Sequence, residues 1–388
     1  MRLDKLSLRD FRNYVNLEVE FDPGVNLIVG DNAQGKTNLL ESISYLGTGK
    51  SFRAQRTSEM VRFGAEFAEL RGEVFSQERE QSIRWVLFPN ARPRILERNG
   101  AKKRSASDVA GVLPSVLFCP EDLMVLKTGS SQRRRFADHV LSGLRPNYEA
   151  ALTEYQKILD HKARILRDKE EDMSVLAILP EFNARLCQVG ALLISYRARF
   201  FASLGQAAQT YHREFSGGLE EFRLTYKTVS TVTDPFAPVE EIRSQLEDHL
   251  ERHYRAELAS CQCLTGPHKD DFDVDLNGIS LKSFGSQGQT RTAAISLKLA
   301  QRELMAKQWQ SEPLLLLDDV LSELDPKRQD FLLNQIRHGQ VFITCCEPEK
   351  VTTGKNIRIE NGKLAGAVAP IASPGGKLSS MTGTVIDD

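Results

Sequence analysis

The chain has 388 residues, 41% of them hydrophobic, enough for two or three domains with a sizeable core. Its 51 Lys and Arg against 52 Asp and Glu leave a formal charge of −1, so global charge steers it to no partner and any polyanion contact has to come from local patches. The N-terminus MRLDKLSLRD lacks the apolar core of a signal peptide, and no uninterrupted apolar run approaches the roughly 20 residues needed to span a membrane, so a cytoplasmic protein with no membrane partner is expected.

Residues 1–29 alternate apolar and polar and end in the apolar run Val25 to Val29, which reads as two strands about the turn Asp22-Pro23-Gly24. The next eight residues, Gly30, Asp31, Asn32, Ala33, Gln34, Gly35, Lys36 and Thr37, fit the phosphate-loop pattern G-x-x-x-x-G-K-[ST] without a gap. The helical stretch TNLLESISYLG follows. Strand, glycine-rich loop and helix together point to a bound nucleoside triphosphate, where the bare pattern alone would carry a false-positive risk. Residues 65–100 hold the β-like runs AELRGEVF and SIRWVLF and the turn Arg98-Asn99-Gly100, a small antiparallel sheet.

From about 130 to 260, long charged segments with helical period take over, interrupted near 216–235 by the strand-like FRLTYKTVSTV. This predicts a helical insertion with coiled-coil character. The six cysteines form no CxxC pair, and Cys261-Gln-Cys263 with His268 is a poor zinc pattern because a second close pair is missing, so inert thiols are expected.

Residues 268–365 return to α/β style, and the tail from about 366 is rich in Gly, Pro, Ser and Thr and reads as disordered. A phosphate loop needs a metal-holding carboxylate at the end of a neighbouring strand. Leu314-Leu315-Leu316-Leu317-Asp318-Asp319 supplies an apolar strand buried on both faces with two acids at its C-terminal end. Asp318 is placed to hold Mg²⁺ through water with Thr37 as a direct ligand, and Asp319 to orient the attacking water. Read alone, such a run is more often an ordinary strand reaching the surface. Upstream, Ser283-Phe284-Gly285-Ser286-Gln287-Gly288-Gln289 precedes a helical run, and its small polar residues fit a helix N-terminus able to hold a terminal phosphate, or simply a cap. Ser322-Glu323-Leu324-Asp325-Pro326 comes after the two acids.

The order of these pieces resembles the ABC-type ATPases with split heads, the SMC and RecF family. GDNAQGKTNLLE is similar to the family's Walker A, GSQGQ to its signature and LLLLDDVLSELD to its Walker B and D-loop. The segments Pro120 to Asp138 and Thr265 to Asp271 also resemble RecF stretches, and the likeness runs from residue 1 to about 364. It implies an α/β, ABC-type P-loop ATPase head with mixed sheets plus a helical arm. The head's N-terminal half would cover 1–130, the arm 131–264, the C-terminal half 265–365 and the tail 366–388.

The resemblance also implies ATP and Mg²⁺ as cofactors, and an ATP-dependent homodimer in which Ser286, Gly288 and Gln289 of one chain close on nucleotide held at Lys36 of the other, with Asp325 beside it. DNA, gapped duplex and single-stranded, is the implied ligand, with RecR and RecO and indirectly RecA as partners in replication, recombinational repair and the SOS response. Three departures from the general ABC pattern stand out, of which the second and third suggest a weak DNA-dependent ATPase acting as a switch. Gln287 stands at the first glycine of LSGGQ, Asp319 at the usual catalytic glutamate and Cys345 at the switch histidine. The alternative is an ATP-binding subunit of another ABC-type machine such as a transporter. Basic clusters occur at Lys102-Lys103-Arg104, Arg133-Arg134-Arg135, His161-Lys162-Ala163-Arg164 and Arg197-Ala198-Arg199. Arg133 to Arg135 rank first for DNA phosphates and Lys102 to Arg104 next, although any one cluster is more often a solvated face. One of the arginines could instead pair with Glu121 or Asp122.

Overall fold

The computed structural model describes residues 1–346 and 354–365, apart from 91, 110 and 337, so the tail lies outside the described residues. In chain order come β1 (Arg2–Phe11), β2 (Tyr14–Glu20), β3 (Val25–Val29), α1 (Lys36–Thr48), β4 (Ala68–Ser76), β5 (Arg79–Leu87), β6 (Ile95–Arg98), β7 (Ala101–Lys103) and β8 (Ser115–Phe118). The helical region holds α2 (Ser130–Leu144), α3 (Pro146–Asp168), α4 (Leu179–Ser216), β9 (Phe222–Lys227) and α5 (Val239–Ser260). Then follow β10 (Asp271–Leu276), β11 (Ile279–Ser280), α6 (Leu281–Phe284), α7 (Gln287–Trp309), β12 (Leu314–Asp318), α8 (Pro326–Gln335), β13 (Val341–Cys345), β14 (Lys355–Glu360) and β15 (Lys363–Leu364).

The N-terminal stretch makes three strands rather than the two expected. The chain reverses at Arg12-Asn13, with Asp10 and Arg12 in the left-handed region, and β1 pairs antiparallel with β2. This hairpin joins the predicted small sheet, giving one antiparallel sheet in the order β2-β1-β4-β5-β6-β7. The β6–β7 turn uses Asn99 and Gly100, both at positive φ (53° and 75°), as a tight hairpin between right-twisted strands demands.

The second sheet runs β15-β14-β3-β13-β12-β8, parallel from β14 to β8. Alternation along β12 divides its leucines between two layers. Leu314 and Leu316 pack with Leu39, Leu40 and Ile43 of α1 and with the antiparallel sheet. Leu315 and Leu317 face the other way and join a cluster that runs through Ala293 and Leu297 of α7 into Leu193 and Leu204 of α4. The parallel sheet is therefore covered on both faces.

A third sheet, β11-β10-β9, ties the strand after α4 to the strand that leads into the signature segment. Helix α4 has 38 residues and packs against α3, α5 and α7. Against the expectation from the sequence, the stretch Met173–Ser216 is long and apolar enough to cross a membrane by length and composition, because scattered charges interrupt its apolar residues without removing its mean hydropathy. Much of its apolar surface is spent inside the chain, with Leu186 and Phe201 in one cluster and Ala191 and Ile194 in another.

Candidate functional site

The phosphate loop is shaped by backbone that only small residues tolerate. A Cβ at Gly30 would lie 2.3 Å from the Ile359 carbonyl oxygen, and Gly35 caps α1 at φ 118°. Lys36 is buried, and its ammonium donates to the carbonyls of Gly30 (2.6 Å) and Asp31 (2.9 Å), filling the loop with its own charge. Neighbouring turns brace the loop from outside. Asn13 Nδ2 and the Gly362 N–H both donate to the Gln34 carbonyl, and the Tyr14 hydroxyl donates to that of Gly35. Asn38 then donates to Asn13 Oδ1 and accepts from Arg53 Nη1.

The strand carrying the two acids is not the neighbour of the loop strand, as the sequence suggested, because β13 lies between β3 and β12. The pieces nevertheless meet across it. Thr37 Oγ1 donates to Asp318 Oδ1 at 2.9 Å, and Thr344 of β13 donates to the same oxygen at 3.0 Å. Burial holds the Asp318 carboxyl above its ordinary range, while these hydrogen bonds act the other way. Asp319 differs in kind. It adopts φ 54°, its N–H donates to Thr344 Oγ1, and the residue is exposed beyond the strand end. At the end of β13, burial pushes the Cys345 thiol up to about 11, so it remains a neutral thiol at physiological pH.

Ser286 is an exposed N-cap of α7 in a capping box. Its N–H donates to Gln289 Oε1 (3.0 Å) and its Oγ accepts from the Gln289 N–H (3.2 Å). Among the described residues no hydrogen bond joins this segment to the phosphate loop of its own chain. Gly288 has Arg328 against it, with Nη2 2.9 Å from where a Cβ would stand. Arg328 is also the partner of Asp325, whose carboxylate accepts the Arg328 N–H as the cap of α8. Asp325 is thus committed within its own chain to Arg328 and a helix terminus.

The model of the RecF/RecN/SMC N-terminal domain family matches residues 2–361. The DNA replication and repair protein RecF of Acetivibrio thermocellus is 34% identical over 368 residues, covering 94% of this chain and 99% of that one. The chain belongs to the RecF family. RecF of Symbiobacterium thermophilum is 39% identical over 351 residues, covering 90% and 92%. A solved structure of the recombination mediator protein RecF with ATP, in the RecFOR pathway, is similar with a TM-score of 0.88 at 33% identity, covering 95% of this chain and 97% of that one. An SMC head bound to the C-winged helix domain of ScpA shares the fold at a TM-score of 0.54 and 17% identity. The architecture is thus the α/β ATPase head of RecF and SMC proteins with a helical arm.

Within this RecF-family chain the basic clusters come apart. Arg133 is 1% exposed, and its guanidinium holds both Asp271 oxygens (2.6 and 2.7 Å) and donates to the Thr128 carbonyl. It is not available to a phosphate, and its partner is Asp271 rather than Glu121 or Asp122. Asp122 is paired with Lys298 at 2.8 Å. Arg134 donates to the Asp270 carbonyl, and only Arg135 of the three is exposed. Lys162 is buried on Glu257, and Arg197 is buried between Asp138 and Asp270. A charge run on a helix puts successive residues on different faces, so one of each run points inward and takes an acidic partner. Lys102, Lys103 and Arg104 remain exposed along the edge strand β7 and just beyond it.

Sequence reasoning missed Asn13, Tyr14, Asn38, Arg53 and Thr344, and also Cys346, whose Sγ lies 3.3 Å from Lys36 Nζ. Arg12 offered a signal through an acid in α1. Its guanidinium pairs with fully buried Glu41, pinning the β1–β2 turn to the phosphate-loop helix. In the Cys261, Cys263 and His268 group, His268 Nε2 bonds the Cys263 carbonyl, and among the described residues no three His, Cys, Asp or Glu side chains come together as a metal-ligating group.

Proposed function

We propose that the chain is an ATP-switched DNA clamp of replication and recombinational repair, in which each composite site draws its phosphate loop from one protomer and its signature from the other. The observation that carries this reading is the division of the site. Thr37 and Asp318 meet within the chain, whereas Ser286 stands exposed and unattached to its own loop. Lys36 would exchange its loop carbonyls for the β- and γ-phosphates. Thr37 and Asp318 present hard oxygens side by side, the donor set that suits Mg²⁺, with Asp318 acting through water. When bound, Mg²⁺ would supply charge neutralisation on the phosphates. The N–H groups of Gln287 and Gly288, at the first two helical positions of α7, have no intrahelical acceptor and suit a γ-phosphate from the partner.

Hydrolysis is slow on this reading, because Asp319 is one methylene shorter than glutamate and the neutral Cys345 thiol replaces an imidazole. ATP binding closes the dimer and loss of the γ-phosphate opens it. The relatives are DNA replication and repair proteins by name, which supports DNA, gapped or single-stranded, as the ligand and a cytoplasmic location, and gives the transporter-subunit alternative no support. The RecFOR pathway of the solved relative supports RecR and RecO as partners, with RecA downstream.

The test is Ser286→Arg, which puts a bulky cation in the closed joint. It should abolish ATP-dependent dimerisation in analytical ultracentrifugation while each monomer still binds a fluorescent ATP analogue at Lys36. Mixed with Lys36→Met, it should regain partial pairing, because one composite site is then whole. Normal dimerisation of Ser286→Arg would overturn the shared site.

A further inference from the structure

The signature is fixed by a side chain from outside the motif. Helix α4 ends at Gly217, and Gly217 and Gly218 both adopt positive φ (64° and 79°), a reversal that a residue with a Cβ makes only under strain. The reversal brings Glu220 back between α4 and α7. There one carboxylate oxygen meets His212 Nε2 in the last turns of α4, at 2.9 Å. The other accepts from Gln289 Nε2 at 2.8 Å. Gln289 in turn spends Oε1 on the Ser286 N–H and its own N–H on Ser286 Oγ. An unbroken series of hydrogen bonds thus runs from the arm helix to the signature serine.

Each link constrains the next. An amide side chain can be rotated end for end with little steric change, so a cap made by glutamine needs something to decide which end faces the serine. A carboxylate accepts only, so Glu220 forces Nε2 toward itself and Oε1 toward the Ser286 N–H. His212 is buried, and burial lowers its pKa against the pull of Glu220, which favours a neutral ring donating from Nε2. With Gln289 fixed, the Ser286 hydroxyl keeps its acceptor role inside the helix and its proton is free to donate outward.

We propose that Glu220 is a positioning residue for the composite ATP site: it orients Gln289, and through it Ser286, and so couples the end of the arm helix to closure on the partner's nucleotide. The inference rests on the shared-site reading above. It also commits to a sign. Glu220 places a negative charge near the site of an incoming phosphate, so by charge alone its removal would tighten closure, whereas by positioning its removal weakens it.

The experiment uses full-length Glu220→Ala, Glu220→Gln, Gln289→Ala and the Glu220→Ala/Gln289→Ala double variant. ATP-dependent dimerisation is followed by analytical ultracentrifugation and own-site affinity by a fluorescent ATP analogue. Loss of one charge-assisted hydrogen bond should weaken dimerisation about tenfold in Glu220→Ala with own-site affinity unchanged. Glu220→Gln can still accept from Gln289 and donate to the other tautomer of His212, so it should stay within about threefold of wild type. In the Gln289→Ala background, Glu220→Ala should cost nothing further, because the partner it positions is gone. Dimerisation at or above wild-type strength in Glu220→Ala, a parallel loss of own-site binding, or an undiminished effect without Gln289 would each overturn the proposal. Ser286→Arg is the control. If it too dimerises with ATP the shared site falls, whereas its failure beside a normal Glu220→Ala removes only the role of Glu220.

Discussion

Arg133→Ala separates a structural arginine from a DNA-binding one. The substitution deletes the guanidinium that holds Asp271 at 2.6 and 2.7 Å and that also donates to the Thr128 carbonyl. Breaking one side of a buried ion pair costs about 3–5 kcal/mol. Asp271 is 23% exposed and keeps the Phe272 N–H at 2.9 Å, so part of its charge stays satisfied. The loss is then about 2–3 kcal/mol. With an unfolding entropy of about 2 cal/mol/K per residue, Tm falls by about 3 °C if the chain unfolds as one unit.

The sign of the pH dependence follows from Asp271. Burial pushes its carboxyl up, but the hydrogen bonds and charge of Arg133 outweigh that, and its pKa ends below the ordinary value. A depressed pKa stabilises the fold above the unfolded value of about 3.9 and loses that contribution as pH falls through the folded one. Calorimetry should therefore find the full Tm difference at pH 7 and a narrowing gap below about pH 4. An unchanged Tm at pH 7, together with a shallower salt dependence of DNA affinity, would refute this account and return Arg133 to the DNA surface.

Asp319→Asn should leave ATP binding intact, lower turnover by about 10²-fold or more and lengthen the life of the ATP dimer, since the amide cannot take a proton; wild-type turnover would reduce Asp319 to a strand-end turn. Changing Lys102, Lys103 and Arg104 together to Gln should reduce the slope of log affinity against log salt by up to about 2.7 if all three meet phosphates, and an unaltered slope removes this edge from the DNA surface. Cys346 is the exposed one of the six cysteines. N-ethylmaleimide should therefore block fluorescent ATP-analogue binding through it, ATP should protect, and Cys346→Ser should abolish the sensitivity; inactivation of Cys346→Ser at the wild-type rate would place the critical thiol elsewhere.

The phosphate loop and the leucine strand are legible because each is a local pattern, and the meeting of Thr37 with Asp318 follows from what a nucleotide requires. The order of strands is not local. Nothing in Leu314 to Asp318 announces that β13 separates it from β3, and Thr344, which bonds both Asp318 and the Asp319 backbone, sits in a run with no motif of its own. The basic clusters mislead for a related reason. Composition records charge but not facing, and Arg133, Lys162 and Arg197 read like their solvated neighbours until Asp271, Glu257 and Asp270 arrive from distant segments. Glu220 escapes notice because its importance lies in Gln289, some 69 residues on.

The placement of β3 has a consequence for how the chain is made. Both of its neighbours, β13 and β14, come from the last fifty residues before the tail, so the strand that carries the phosphate loop has no hydrogen-bonding partner until Val341 and beyond have been synthesised. At 5–20 residues per second, that leaves the apolar run Val25–Val29 waiting roughly a quarter of a minute to a minute behind the ribosome. The β1–β2 hairpin and β4 to β7 can pair in the meantime, since each finds its partner nearby in the chain. A message truncated shortly before Val341 would therefore yield a folded-looking antiparallel sheet and arm helices around an exposed, unpaired edge. Such a product is a natural client for chaperones or proteases and has no working nucleotide site of its own.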